Sequence, residues 1–124
     1  MRAYYDQKPA KVYHLKQGVS RYVYDIQEHT VEHGEDMPPM TQWSGEEVDV
    51  AEPLTSNRIT QAVIAAKWSA DYEQKLINEY NAVQLGVIKG EEAETKVAAY
   101  ETFLRERAAL KAQIDADCAE LGIA

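Results

Sequence analysis

The strongest constraint on the fold is a change in the character of the chain at Pro53. All four prolines of the 124 residues lie at or before this position, and so do five of the eight tyrosines. Residues 54–124 contain no proline and are rich in alanine, leucine, glutamate and lysine, which favour helices. The change predicts an α+β fold. A small N-terminal antiparallel β-meander (1–53) is followed by a C-terminal antiparallel helical hairpin (54–124) with one broken arm.

The β-rich part contains several short runs that are typical of strands. Residues 11–16 and 19–26 flank Gln17-Gly18, a pair typical of a tight hairpin turn. Residues 28–33 and 46–52 are predicted as further strands. Strand alternation predicts two faces for 19–26. One face carries Tyr22, Tyr24 and Ile26, and the other carries Arg21, Val23 and Asp25.

The helical part divides into three runs, at about 56–67, 70–85 and 91–121. A break is predicted at Trp68-Ser69, where Ser69 can cap the second helix. Glycine follows leucine in both "QLGVI" and "ELGIA", so Gly86 and Gly122 are predicted to end helices in the left-handed conformation. An apolar residue after each glycine is expected to fold back on the helix. The short connection at 86–90 favours antiparallel packing.

Net charge restricts the class of partner. The chain carries a formal charge of −8, with 13 basic and 21 acidic side chains. Basic residues are outnumbered in both halves, so binding to nucleic acid is not expected. No apolar run approaches the roughly 18 residues of a membrane span, and the N-terminus lacks the apolar block of a signal peptide. We therefore expect synthesis in the cytoplasm and no membrane contact.

One short motif suggests chemistry. His29, Glu32 and His33 spell H-x-x-E-H, a zinc hydrolase motif that requires both histidines on one helical face. The β-branched residues between them favour a strand, on which positions four apart are separated by about 13 Å. We therefore expect no metal site, cofactor or catalytic residue in this chain. A metal-dependent hydrolase that uses His29, Glu32 and His33 is the least favoured of three functional hypotheses.

Other side chains are candidates for contacts with other proteins. Trp43 lies close to Met37 and Met40 in a predicted surface loop at 34–45. In this loop, Trp43 either anchors a partner or folds back over the sheet. On the third helix, a predicted apolar stripe runs through Tyr100, Leu104, Ile114 and Cys118, while Asp115 and Asp117 are expected to be solvated. The stripes of the two arms need additional burial, and their candidate contact residues are Tyr72, Tyr80, Tyr100, Phe103 and Leu104.

The helical segment "RITQAVIAAKWSADYEQKLINEYNA" resembles part of a family of small structural proteins from the tail region of tailed bacteriophages and prophages. In that family, a helix ending in an aromatic-serine turn precedes a second, acidic helix. The segment "YETFLRERAALKAQIDADCAELG" is similar to the family's later helix, and residues 8–32 resemble its leading β-meander. The residues that carry the match in the first segment are Ile59, Val63, Ile64, Trp68, Ser69, Glu73 and Leu76.

This resemblance implies a virion structural protein of the tail or tail fibre, made in the bacterial cytoplasm and located in the virion. Its implied partners are other virion or tail proteins and copies of itself in a homo-oligomer. It lends the chain no catalytic residue. The alternative hypothesis is a non-virion assembly chaperone that shields a tail or tail-fibre protein until it assembles.

Overall fold

The computed structural model describes residues 1–32 and 34–124 and has the predicted α+β fold. Within these described residues, a four-stranded antiparallel sheet is followed by three helices. The chain divides into two compact units, Met1–Ala62 and Val63–Ala124. This division falls within the first helix rather than at Pro53, where the composition of the sequence changes.

The sheet comprises β1 (Arg2–Tyr5), β2 (Val12–Lys16), β3 (Val19–Val31) and β4 (Met40–Ala51) in the order β1-β4-β3-β2. The strands β2 to β4 form the predicted meander, and β1 is an additional edge strand beside β4. Residues 28–31 continue β3 instead of forming a separate strand. The predicted strand at 46–52 begins earlier, at Met40, because its N-terminal half pairs with the end of β3.

A bulge in β3 changes which side chains share a face of the sheet. The β3–β4 register shifts between Tyr24 and Gln27, and Asp25 has a φ of 50°. The extra residue reverses the alternation beyond Tyr24. Ile26 consequently approaches Gly45 from the same side as Val23. The prediction that Ile26 shares a face with Tyr22 and Tyr24 is therefore wrong.

The other face of the sheet holds its best-buried tyrosine. Tyr22 lies opposite Val48, and Ser20 lies opposite Val50. Tyr22, Ser20 and Val50 are all buried, and the ring of Tyr22 stacks on that of Tyr24 with 5.6 Å between centroids. Burial of apolar surface and the stacking of the two tyrosine rings stabilise the part of this face around Tyr22.

The helices are α1 (Ser56–Lys67), α2 (Ala70–Gln84) and α3 (Gly90–Leu121). Their observed ends differ from the predicted ones by no more than one residue. The Thr55 hydroxyl accepts a hydrogen bond from the Arg58 amide at 3.1 Å, and the Ser69 hydroxyl accepts one from Tyr72 at 3.0 Å. These two caps satisfy amides that have no partner within the first turn of a helix.

In the second unit, α2 and α3 pack antiparallel. Tyr80 lies against Tyr100 and the Lys96 amine pairs with Glu79, whereas Tyr72, earlier in α2, lies against Phe103, later in α3. The turn between the helices is centred on Gly86, whose φ is 76°. At this turn the Val87 amide donates to the Ala82 carbonyl at 2.9 Å, and the Gly86 amide donates to Val83 at 3.1 Å. This is the hydrogen-bond pattern of a Schellman motif, as the sequence predicts.

The packed face of α3 differs from the predicted stripe at two positions. Phe103 is 3% exposed whereas Leu104 is 44% exposed, so the stripe passes from Tyr100 through Phe103. A step of three residues and a step of four both remain on one helical face, and sequence spacing alone does not choose between them. Asp117, expected to be solvated, is buried and accepts a hydrogen bond from the Gln113 amide at 2.9 Å. Cys118 is buried, as predicted.

Candidate interaction surfaces

The structure separates the three candidates of the predicted loop. Met37 lies in the connection between β3 and β4 and is exposed. Met40 and Trp43 lie in β4, so their predicted position on the loop is wrong. The chain becomes extended immediately after Pro38-Pro39, and the residues at 40–43 find partners on β3. The pattern of residues within one strand does not predict this pairing, because register is a property of both strands together.

Trp43 is partly covered within its own unit. It lies between Tyr5 on β1 and Glu28 on β3, and the Lys8 amine approaches to 5.8 Å from its ring centroid. This distance is within the range of a cation–π contact. This geometry favours a Trp43 that covers the sheet over a Trp43 that anchors a partner.

Most of the aromatic candidates in the helical unit hold α2 against α3. Phe103 contacts Trp68 at 5.0 Å and Tyr72 at 6.4 Å between ring centroids, both nearly edge to face. The rings of Tyr80 and Tyr100 are 4.9 Å apart. Because Phe103 is buried by these contacts, it offers no exposed surface to a partner. Tyr72 remains 43% exposed and is still available.

The most exposed apolar side chains of the helical unit lie at its turn. Leu85 is 81% exposed and Val87 is 77% exposed, on either side of Gly86. We call these two residues the hairpin tip. The sequence predicts that Val87 folds back on α2, which is wrong, and it does not identify either residue as a contact candidate. Leu104 is the remaining exposed candidate on α3.

The sheet carries a second feature, an open pocket of about 390 Å³ at one end of the face that holds Tyr22 and Val50. Residues of β1, β4 and β3 line it in adjacent rows, with Tyr4, Ser44 and Gln27 in one row and Gln42 and His29 in the next. We call it the polar pocket. Its lining consists of Arg2, Tyr4, Gln27, His29, Gln42 and Ser44.

Ser44 organises the polar pocket from its centre. The side chain is 1% exposed, and its hydroxyl oxygen accepts a hydrogen bond from Arg2 Nη2 at 2.7 Å. The same oxygen lies 2.7 Å from His29 Nε2, at hydrogen-bonding distance. Arg2 Nη1 also contacts Asp25 at 2.8 Å and Glu46 at 3.6 Å. The guanidinium and imidazole groups are therefore each held in one orientation.

The same contact bears on the H-x-x-E-H motif. His29 lies in β3, which continues to Val31, so the helix that the zinc motif requires is not formed there. Glu32 is exposed, and His33 lies outside the described residues. No group of three or more His, Cys, Asp or Glu side chains in residues 1–32 and 34–124 is arranged to hold a metal ion.

The opposite face of the sheet carries a charged network. Arg21 contacts Asp49 at 2.9 Å and Glu47 at 3.4 Å, and the Tyr5 hydroxyl donates to Glu47. Burial raises the pKa of Tyr5, and the hydrogen bond to Glu47 raises it further. The phenol therefore stays protonated and serves as a donor. We interpret this network as structural, since every group in it has a partner.

One further carboxylate lies at the end of the sheet. Glu52 accepts hydrogen bonds from the Ser20 hydroxyl at 2.5 Å and from His14 Nδ1 at 2.6 Å. The bond from Ser20, and then that from His14, lowers the pKa of Glu52. The ionised form of this carboxylate therefore helps to join β2 and β3 to the end of β4.

Comparisons with known protein families, curated proteins and solved structures find no significant match to this chain. Among the helices of the described chain, none is both long enough and apolar enough to cross a lipid bilayer.

Proposed function

We propose that this chain is a structural protein of the tail or tail-fibre region of a bacteriophage or prophage particle, and that it acts through protein–protein contacts. The resemblance of the helical segment to the family of small tail-region proteins supports a location in the tail or tail fibre. The hairpin tip supports the mode of action, because Leu85 and Val87 are both almost fully exposed. The proposal assigns no catalytic residue and no cofactor to the chain.

The hairpin tip has the physical properties of an anchor for a partner. Full burial of a leucine or valine side chain contributes about 1.5–3 kcal/mol. The left-handed Gly86 and the two hydrogen bonds of the turn hold the tip in one conformation. A preorganised turn loses little conformational entropy when it docks. Tyr72 and Leu104 provide additional exposed apolar surface on the same hairpin.

The partner that fits this surface is another protein, either a second copy of the chain or a neighbouring virion protein. A net charge of −8 opposes binding to phosphate backbones. It also opposes close approach of two copies at low ionic strength, and salt screens that repulsion. Self-association through the hairpin tip is therefore expected to strengthen as salt is added.

The first experiment measures self-association by sedimentation velocity over a range of concentrations. The wild-type chain is expected to form oligomers, and the double substitution Leu85→Asp with Val87→Asp is expected to shift it to the monomer by placing charges in the interface. Gln84→Ala, at an exposed neighbouring position, is the matched control and should behave as wild type. Far-ultraviolet circular dichroism checks that each variant is folded.

The second experiment examines purified particles by mass spectrometry. A structural component is present in mature particles at a fixed copy number. A chain that is absent from particles but required for tail assembly is instead the chaperone of the alternative hypothesis. A chain that stays monomeric, is absent from particles and is dispensable for assembly contradicts both.

A further inference from the structure

We propose that the polar pocket binds a neutral saccharide. This inference is independent of the proposed function, because the pocket lies in the sheet and the hairpin tip lies in the helical unit. Its volume of about 390 Å³ is at the lower end of the range for small-molecule sites. Strands β1, β4 and β3 all contribute side chains to it, so the site depends on the folded sheet.

The pocket is built to hold its polar groups in place before a ligand arrives. Ser44, at the base, bonds both Arg2 and His29 at 2.7 Å. The Gln27 amide donates to Asp25 at 3.1 Å, which orients its side-chain carbonyl. Fixed donors and acceptors reduce the entropy lost on binding.

Charge balance favours an uncharged ligand. Among the described residues that line the pocket, Arg2 carries a permanent formal charge. Its guanidinium is already paired with two carboxylates, those of Asp25 and Glu46, at 2.8 and 3.6 Å. An anion would meet these carboxylates next to the guanidinium. A cation would meet the guanidinium itself, so neither sign of charge is well accommodated.

The remaining lining residues match the chemistry of a sugar. The side-chain amides of Gln27 and Gln42 can each donate and accept, as sugar hydroxyls do. Tyr4 is 63% exposed, and its ring offers an apolar surface beside these amides on which the C–H face of a sugar can lie. The open side of the pocket admits either a single sugar or one residue of a longer chain.

The test is a titration of ¹⁵N-labelled protein with glucose, galactose and N-acetylglucosamine, followed through backbone amide shifts. At least one sugar is expected to shift amides of β1, β3 and β4 around the pocket, with a dissociation constant in the millimolar range. Gln42→Ala and Tyr4→Ala should each weaken this binding by about fivefold or more, as expected from the loss of one polar or aromatic contact.

Thr41→Ala is the matched control. Thr41 is the neighbour of Gln42 on β4, is exposed and projects from the opposite face of the sheet, so this variant should bind as the wild type does. Sodium sulfate and methylammonium chloride serve as charged probes. The proposal is overturned if no sugar shifts the pocket amides, if both pocket variants bind with wild-type affinity, or if a charged probe alone produces the shifts.

Discussion

At the scale of single residues, Gly45 is a position where packing within the sheet leaves no room for a side chain. A Cβ atom at this position would lie 2.7 Å from Val23 Cγ1 and 3.7 Å from Ile26 Cγ1. Val23 is fully buried and has a short, stiff side chain, so it cannot move away cheaply. Val23 reaches this side of the sheet in the regular pairing opposite Glu47, and the bulge in β3 adds Ile26 to the same side.

Gly45→Ala is therefore expected to destabilise the folded chain by about 1–3 kcal/mol, the usual cost of overpacking a core. Urea unfolding followed by tryptophan fluorescence measures this loss. Adding Val23→Ala to the variant removes the clashing methyl groups. The double variant should then lose less stability than the sum of the two single changes. Strict additivity would show that the contact with Val23 is not the cause.

Glu52 provides a prediction that depends on pH. Its pKa in the folded chain is lowered by hydrogen bonds from Ser20 and His14. Such a group stabilises the fold fully above the ordinary pKa of a glutamate, and the contribution disappears as pH falls through the lower folded pKa. Glu52→Gln should therefore lower the melting temperature at pH 7, and the difference from wild type should shrink below about pH 4.

The matched control for this prediction is Glu94→Gln, which changes an exposed glutamate on α3. It should show little difference from wild type at either pH. A Glu52→Gln variant whose deficit persists unchanged at pH 3 would show that the carboxylate charge is not what stabilises this end of the sheet.

At the scale of elements, the turn between α2 and α3 depends on one left-handed residue. Gly86 has a φ of 76°, and β-branched side chains are strongly disfavoured in that region. Gly86→Val should destabilise the hairpin by at least about 1–2 kcal/mol, measured by thermal unfolding of the helical signal. Asparagine tolerates this conformation better, so Gly86→Asn should lose distinctly less. Equal losses in the two variants would contradict the proposed role of the backbone conformation.

The packing of α2 against α3 depends on a small group of aromatic side chains. Phe103 contacts Trp68 and Tyr72 edge to face, which places three aromatic residues at one level of the hairpin. Aromatic contacts of this kind contribute about 0.5–1.5 kcal/mol beyond the area they bury. They explain why α3 turns Phe103 toward α2 and leaves its neighbour Leu104 exposed.

At the scale of the whole molecule, the division into two units separates the two proposed activities. The polar pocket belongs to Met1–Ala62, and the hairpin tip belongs to Val63–Ala124. Because no residue is shared, the substitutions at Leu85 and Val87 test protein contacts alone, and those at Gln42 and Tyr4 test sugar binding alone. Failure of one proposal therefore leaves the other standing.

Features that depend on local chemistry can be read from the amino-acid sequence without the structure. The loss of proline after Pro53, the cap at Ser69 and the left-handed glycine at Gly86 each act within a few residues, so their signals are complete in the chain. These signals were sufficient for the α+β class and for the ends of the helices.

Features that depend on how the strands pair with one another are set only in the folded molecule. The addition of β1 to the sheet follows from hydrogen bonding with β4, a strand far away in sequence. The start of β4 at Met40 and the bulge beside Asp25 follow from the register in which β3 and β4 pair. The polar pocket has the same origin, since Arg2, His29 and Ser44 become neighbours only when three strands align. Strand register is a property of a pair of segments, so neither segment encodes it alone.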